Sequence, residues 1–176
     1  MQSQMALNRL AMRRLHRQAV GMSQQGSSQS PDPPALPSAP APQWPLEVAL
    51  YADDLERCAA FYERIIGLER GPEVPGRHVF FRLGAGMLLI FQPEASAQPP
   101  GNPAMPVPPH GAHGEGHLCF AAEAKALAEW EARLRAAGVP IEADFTWPGG
   151  ARSLYFRDPA GNSIEFAEPR LWAREG

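Results

Sequence analysis

Two stretches of the chain carry the same succession of hydrophobic and polar positions. In the first, a short apolar strand, Glu47-Val48-Ala49-Leu50-Tyr51, leads through Asp53 and Asp54 into an amphipathic segment that stops at Gly67. In the second, His117-Leu118-Cys119-Phe120-Ala121 leads through Ala122 and Glu123 into another that stops at Gly138. Leu55, Ala59, Tyr62 and Ile66 recur at helical spacing in one segment, and Leu127, Trp130, Leu134 and Ala137 in the other. Each spacing predicts a helix with one buried stripe. Asp53 and Glu56 have the spacing of a capping box, and the two glycines supply left-handed C-terminal positions. After each helix comes an extended stretch, then a strand pair closing on a Gly turn, residues 80–83 to 87–91 and 153–156 to 162–166. An internal repeat of this kind predicts an α+β fold of two equivalent modules, about residues 46–92 and 116–168.

Strand alternation assigns the faces. With Val48 and Leu50 beneath the first helix, Glu47, Ala49 and Tyr51 face the other way. The same parity turns His117, Cys119 and Ala121 outward, together with Glu165 and Ala167. Tyr155 lies opposite Leu154 and Phe156. Likewise Ile90 and Gln92 lie outward, opposite Leu89 and Phe91, in the register that lays Ile90 on Glu165. The open faces would combine into one cleft, with Tyr51, Ile90, Cys119, Trp147 and Tyr155 as its substrate-binding wall.

Composition sets the limits of the domain. The chain has twenty prolines, concentrated in residues 31–45 and 93–109. Residues 1–44, rich in Gln, Ser and Pro, cannot bury enough apolar surface to offset the entropy of ordering, so the folded domain is expected over 45–172. Residues 93–115 are expected to be a long connection, either a functional loop or a disordered link. The net charge is −3, yet the first thirty residues hold Arg9, Arg13, Arg14 and Arg17 with no acid. The remainder is therefore acidic and offers no basic stripe, which argues against a nucleic-acid partner. No run approaches the roughly 18 apolar residues of a membrane span. Cys58 and Cys119 are too few for a disulfide framework and read as buried, reduced thiols. A cytoplasmic location follows, with an organellar one as the alternative if the Arg-containing start is a transit peptide.

From about residue 46 to 168 the chain resembles the vicinal-oxygen-chelate superfamily, which includes glyoxalase I, extradiol dioxygenases and the bleomycin- and fosfomycin-resistance proteins. The resemblance rests on Val48-Ala49-Leu50-Tyr51-Ala52-Asp53-Asp54-Leu55, on Phe61-Tyr62-Glu63-Arg64-Ile65-Ile66-Gly67-Leu68 and on Gly116-His117-Leu118-Cys119-Phe120. Its most specific stretch is the turn Asp158-Pro159-Ala160-Gly161-Asn162, which leads into a strand bearing Glu165. The resemblance implies paired βαβββ modules forming a curved mixed sheet around one cleft. In metal-binding members four cleft positions supply ligands, and these map to Glu47, Ile90, His117 and Glu165. Glu47 stands where the family most often has His, and Ile90 offers no donor.

Glu47, His117 and Glu165 remain as metal ligands, and each lies in an otherwise apolar strand, where a charge is costly unless paired or bound. Two carboxylates and one imidazole suit one divalent ion, Mn²⁺, Fe²⁺, Ni²⁺ or Zn²⁺. The alternative is an imidazolium of His117 paired with the acids. The implied function is a metal-dependent enzyme acting on a small oxygen-chelating substrate, of lyase or isomerase type ahead of a ring-cleaving dioxygenase, with Glu47 or Glu165 as catalytic base. The other class is a metal-free cleft that binds a small molecule, as in bleomycin-resistance members. Either cleft can form within one chain or across a homodimer.

Overall fold

The computed structural model describes residues 36–173, so most of the expected tail, residues 1–35, lies outside the described part. The first module runs β1 (Glu47–Tyr51), α1 (Leu55–Phe61), β2 (Glu69–Val74), β3 (His78–Leu83) and β4 (Gly86–Phe91). A short helix, α2 (Pro93–Ser96), opens the connection. The second module runs β5 (His117–Ala121), α3 (Ala124–Ala136), β6 (Ile141–Thr146), β7 (Arg152–Arg157) and β8 (Ser163–Ala167). One sheet has the order β1-β4-β3-β2 and the other β5-β8-β7-β6. In both, the first strand is parallel to the last and the remaining pairs are antiparallel. The fold is thus α+β with paired βαβββ modules, and its two four-stranded sheets remain separate.

The helix signals shift by one residue at the start. Asp54, not Asp53, caps α1, its carboxylate accepting from the Arg57 N–H at 3.0 Å. The α1 coil then widens into a π-helical turn over Tyr62–Ile66 and ends on Gly67, whose φ of 84° is open to glycine at little cost. This turn keeps both Tyr62 and Ile66 on the buried side. Trp130 of α3 stacks on Phe166 at 4.3 Å, as its place in the stripe requires.

One apolar core serves both modules. It takes Leu50, Phe81, Leu88 and Ile90 from the first sheet, and Phe120, Leu154, Phe156 and Ile164 from the second. The polar links between modules are equally specific. Tyr62 Oη donates to Asp158 at 2.9 Å, Asn162 Nδ2 donates to the Tyr51 carbonyl at 3.2 Å, and Arg133 donates to the Ile65 and Arg64 carbonyls that end the first helix. Asp158 also accepts from the Ala160 and Asn162 amides and from Asn162 Nδ2. The Asp-Pro-x-Gly-Asn turn is therefore the polar hinge of the fold, buried where the modules meet. The core occupies the helix side of each sheet and leaves the opposite faces for chemistry.

Candidate functional site

On the open face of the second sheet, β8 lies between β5 and β7, so Glu165 has Cys119 on one side and Tyr155 on the other. Only 5% of the Glu165 side chain is exposed, although it stands on the face away from the core. Above it is an aromatic wall. The rings of Phe145 and Tyr155 stack at 5.9 Å, Phe145 meets Trp147 at 4.9 Å, and His117 stacks near Tyr155 at 6.2 Å. The Trp147 indole N–H donates to Ser153 Oγ at 2.8 Å, which fixes the ring. The structure thus gathers His117, Cys119, Trp147, Tyr155 and Glu165 around one face.

The His117–Glu165 pair has an unfinished geometry. His117 Nδ1 lies 3.0 Å from the Ser163 carbonyl. A carbonyl can only accept, so Nδ1 carries the proton. His117 Nε2 then lies 3.3 Å from Glu165 Oε2. In that tautomer the Nε2 lone pair is free beside a carboxylate oxygen, which leaves two ligand-type atoms side by side. Donors held by a divalent ion at about 2.0–2.2 Å stand roughly 3.0–3.5 Å apart, so the spacing fits two adjacent ligands of one ion. The Nδ1 contact is the outer hydrogen bond that orients a ligating imidazole. Glu165 Oε1 is buried and has no hydrogen-bond partner, which adds to the demand for a cation or donor at this carboxylate.

The neighbours respond to that carboxylate. Partial desolvation of the thiol, and then the Glu165 charge, push Cys119 up to about 12, although the residue as a whole is exposed. Burial and Glu165 likewise push the Tyr155 hydroxyl up to about 12. Both stay protonated at neutral pH, so Cys119 is not poised as a nucleophile there. The expectation that both cysteines are buried holds only for Cys58; Cys119 is exposed.

Two further sequence expectations need correction. Ile90 does not line a cleft, since it is fully buried in the core beneath the first helix. The register explains why. β1 and β4 pair as Ala49 with Leu89 and Leu50 with Ile90, so Leu89 shares the open face with Ala49. Partner strands are 40 residues apart in the first module, Glu47 with Met87, and 46 apart in the second, His117 with Ser163. The offset between modules thus grows from 70 at the first strands to 76 at the last, and laying Ile90 on Glu165, an offset of 75, falls one residue short and turns the strand to its other face. Secondly, Glu47 does not join His117 and Glu165 within one chain. Among the described residues, the one group of three ligand-type atoms within 4.8 Å is Asp53, Glu94 and His113, all exposed.

Glu47 instead edges a separate groove of about 800 Å³ on the first sheet. Ala49, Tyr51, Leu89 and Phe91 form its floor, with Phe80 and His78 from β3. The connection, expected as a loop or link, folds back as its roof through Met105, Val107 and His110. Sequence reasoning missed Leu89, Phe80, Arg77 and the role of His110. The polar residues His78 and Arg82, four apart, were the available signal for β3, since their parity turns Phe80 to the same face.

Comparison with known proteins agrees with this architecture. The Glyoxalase/Bleomycin resistance protein/Dioxygenase superfamily matches over residues 44–166. Among solved structures, a lactoylglutathione lyase from Agrobacterium tumefaciens is 46% identical with a TM-score of 0.72, the match covering 76% of this chain and 98% of that one. An integron cassette protein from the mobile metagenome of the Halifax Harbour sewage outfall is 25% identical, TM-score 0.56, covering 70% and 96%. A mutant of the genomically encoded fosfomycin resistance protein FosX from Listeria monocytogenes, complexed with Mn(II) and 1S,2S-dihydroxypropylphosphonic acid, shares the fold at 20% identity, TM-score 0.53, covering 72% and 90%. Comparison with curated protein sequences gives no match. With the paired modules, the turn at Asp158 and a family match over most of its folded part, the chain belongs to the Glyoxalase/Bleomycin resistance protein/Dioxygenase superfamily.

Proposed function

We propose that the chain is a divalent-metal-dependent enzyme of lyase or isomerase type, acting on a small substrate with neighbouring oxygen atoms. The observation that carries this reading is the His117–Glu165 pair, with Nε2 and Oε2 3.3 Å apart and Nδ1 already committed to Ser163. Identity of 46% to a lactoylglutathione lyase supports the reaction class. A divalent ion held by His117 and Glu165 would supply Lewis-acid stabilisation of negative charge on a substrate oxygen. The protein's own part is orientation and exclusion of water. Tyr155, Phe145 and Trp147 wall one side, Tyr155 keeps its proton as a donor, and the buried Glu165 stays available to a cation or proton.

Two ligands from one chain leave the donor set short, because Leu89 is apolar and Glu47 lies in the other groove. The reading therefore includes a homodimer in which Glu47 of a second copy approaches His117 and Glu165, as a further ligand or as the base. Elemental analysis of the purified protein, followed by titration with Mn²⁺, Fe²⁺, Ni²⁺ and Zn²⁺, tests the metal. Stoichiometric binding in the parent that is lost in His117→Ala and Glu165→Gln is expected; binding that survives both substitutions sinks the assignment. The second reading, a metal-free small-molecule binder, is favoured by the apolar groove with Leu89 on its floor. It predicts no metal under any condition and tight binding of an organic ligand.

A further inference from the structure

The groove on the first sheet lacks a metal-donor set, yet it has the features of a built compartment. Its volume of about 800 Å³ falls within the range of small-molecule pockets, about 300–1,000 Å³. The roof is pinned at two points. Arg77 donates to the carbonyls of Ala95 and Gln98, and Tyr51 Oη is hydrogen-bonded to His110 Nδ1 at 2.9 Å. The walls are aromatic and fixed to one another: His78 stacks on Phe80 at 4.2 Å, and Phe91 meets His110 edge-on at 4.4 Å.

Charge is unevenly placed along this compartment. Arg77 has no salt-bridge partner among the described residues; its two bonds go to neutral carbonyls. No carboxylate offsets the guanidinium among the described residues, and it has N–H groups to spare for a bidentate acceptor. Burial, and then the Arg77 charge, lower the His78 pKa, so His78 adds aromatic surface without a second charge. Arg77 stands at the same end as Tyr51, since His78 pairs with Phe91 and Phe91 with Tyr51. Glu47 lies at the other end of β1, about 13 Å away along an extended strand. The groove is cationic at one end, apolar and aromatic in the middle, and anionic at the far end.

We infer that this groove binds a small aromatic monocarboxylate, its ring between Phe80, Phe91 and the roof residues Met105 and Val107, and its acid on Arg77. Glu47 disfavours a second acid at the far end. Binding of the ring and of the acid at Arg77 does not rest on the metal reading, whereas the exclusion of a second acid rests on Glu47 carrying no metal, the condition set by chelator.

The test is calorimetric binding of phenylacetate, benzyl alcohol and 1,4-phenylenediacetate to the full chain, in excess chelator. Phenylacetate should bind at least about tenfold more tightly than the alcohol and than the diacid. Arg77→Gln, which retains an amide to hold the Ala95 carbonyl, should abolish the preference for acid over alcohol. Val107→Trp should block both ligands by filling the groove, and Glu47→Gln should tighten the diacid alone. Equal affinity of acid and alcohol, no binding of either, or phenylacetate binding that survives Val107→Trp would each overturn the inference. Binding that requires a divalent ion would overturn it as well, and would leave the His117–Glu165 proposal standing.

Discussion

Leu89 occupies in the first module the register position that Glu165 occupies in the second. Each is the β-strand residue opposite the middle of the parallel partner, Ala49 for Leu89 and Cys119 for Glu165. One module therefore presents a carboxylate at this point and the other a hydrocarbon. The repeat has been split into a polar face suited to a cation and an apolar groove suited to an organic ring.

This assignment makes Ile90 and Leu89 distinguishable by stability. Ile90 is fully enclosed in the shared core, so Ile90→Ala should cost about 3–4 kcal/mol in urea unfolding. Leu89 borders the groove, where water can enter the vacated space, and Leu89→Ala should cost about 1–2 kcal/mol. A reversed order would return Ile90 to the open face.

The junction between modules rests on a few buried polar groups. Tyr62→Phe removes one of the donors to Asp158 and should cost about 1.5–3 kcal/mol, the range for a hydrogen bond to a charged group. Asn162→Ala should cost more, because it strips a donor from Asp158 and one from the Tyr51 carbonyl, and leaves the Gly116 N–H without its acceptor. Urea midpoints of the two variants measure the difference, and an Asn162→Ala variant as stable as the parent would contradict it.

Much of this was legible in the chain because alternation is explicit where polar residues interrupt a strand. Glu47, His117 and Glu165 betray the open face of their strands, and the structure places all three there. The run from Met87 to Phe91 contains no polar residue, so periodicity could not orient it, and only pairing with β1 does. The roof over the groove was hidden for another reason. Its contacts, Tyr51 to His110 and Arg77 to Ala95, join residues far apart in sequence with no local pattern. Likewise, strand parity reports which face a side chain takes but not which module's face it shares, and so it could not show that Glu47 stands apart from His117.

Arg152 ties together Asp144, Glu131 and, through its backbone N–H, Glu168. Hydrogen bonding to Arg152 lowers the Asp144 pKa, and Arg152 followed by Arg135 lowers that of Glu131. Carboxylates whose pKa is lower in the folded state stabilise it above their unfolded values, near 4, and lose that contribution as pH falls through the folded values. Arg152→Gln should therefore lower the urea midpoint at pH 7, and the gap from the parent should narrow by pH 3. A gap that is constant or wider in acid would show that the guanidinium acts through packing alone.

The dimeric reading of the metal site leads to a complementation test. Glu47 and His117 stand on open faces of different modules and do not meet within one chain, so a site needing both must draw them from two copies. Glu47→Gln and His117→Ala chains should each lose high-affinity metal binding when prepared alone. Mixed under conditions that allow subunit exchange, they form a heterodimer in which one site has lost both groups and the other has lost neither. Metal binding should then return to about half a site per heterodimer chain, in proportion to the heterodimer present. Recovery requires the two copies to share a site, whereas a site built within one chain cannot recover, since every chain in the mixture carries a defect. If neither recovery nor a dimer is seen while His117 and Glu165 still bind metal, Glu47 has no part in that centre and belongs to the groove alone.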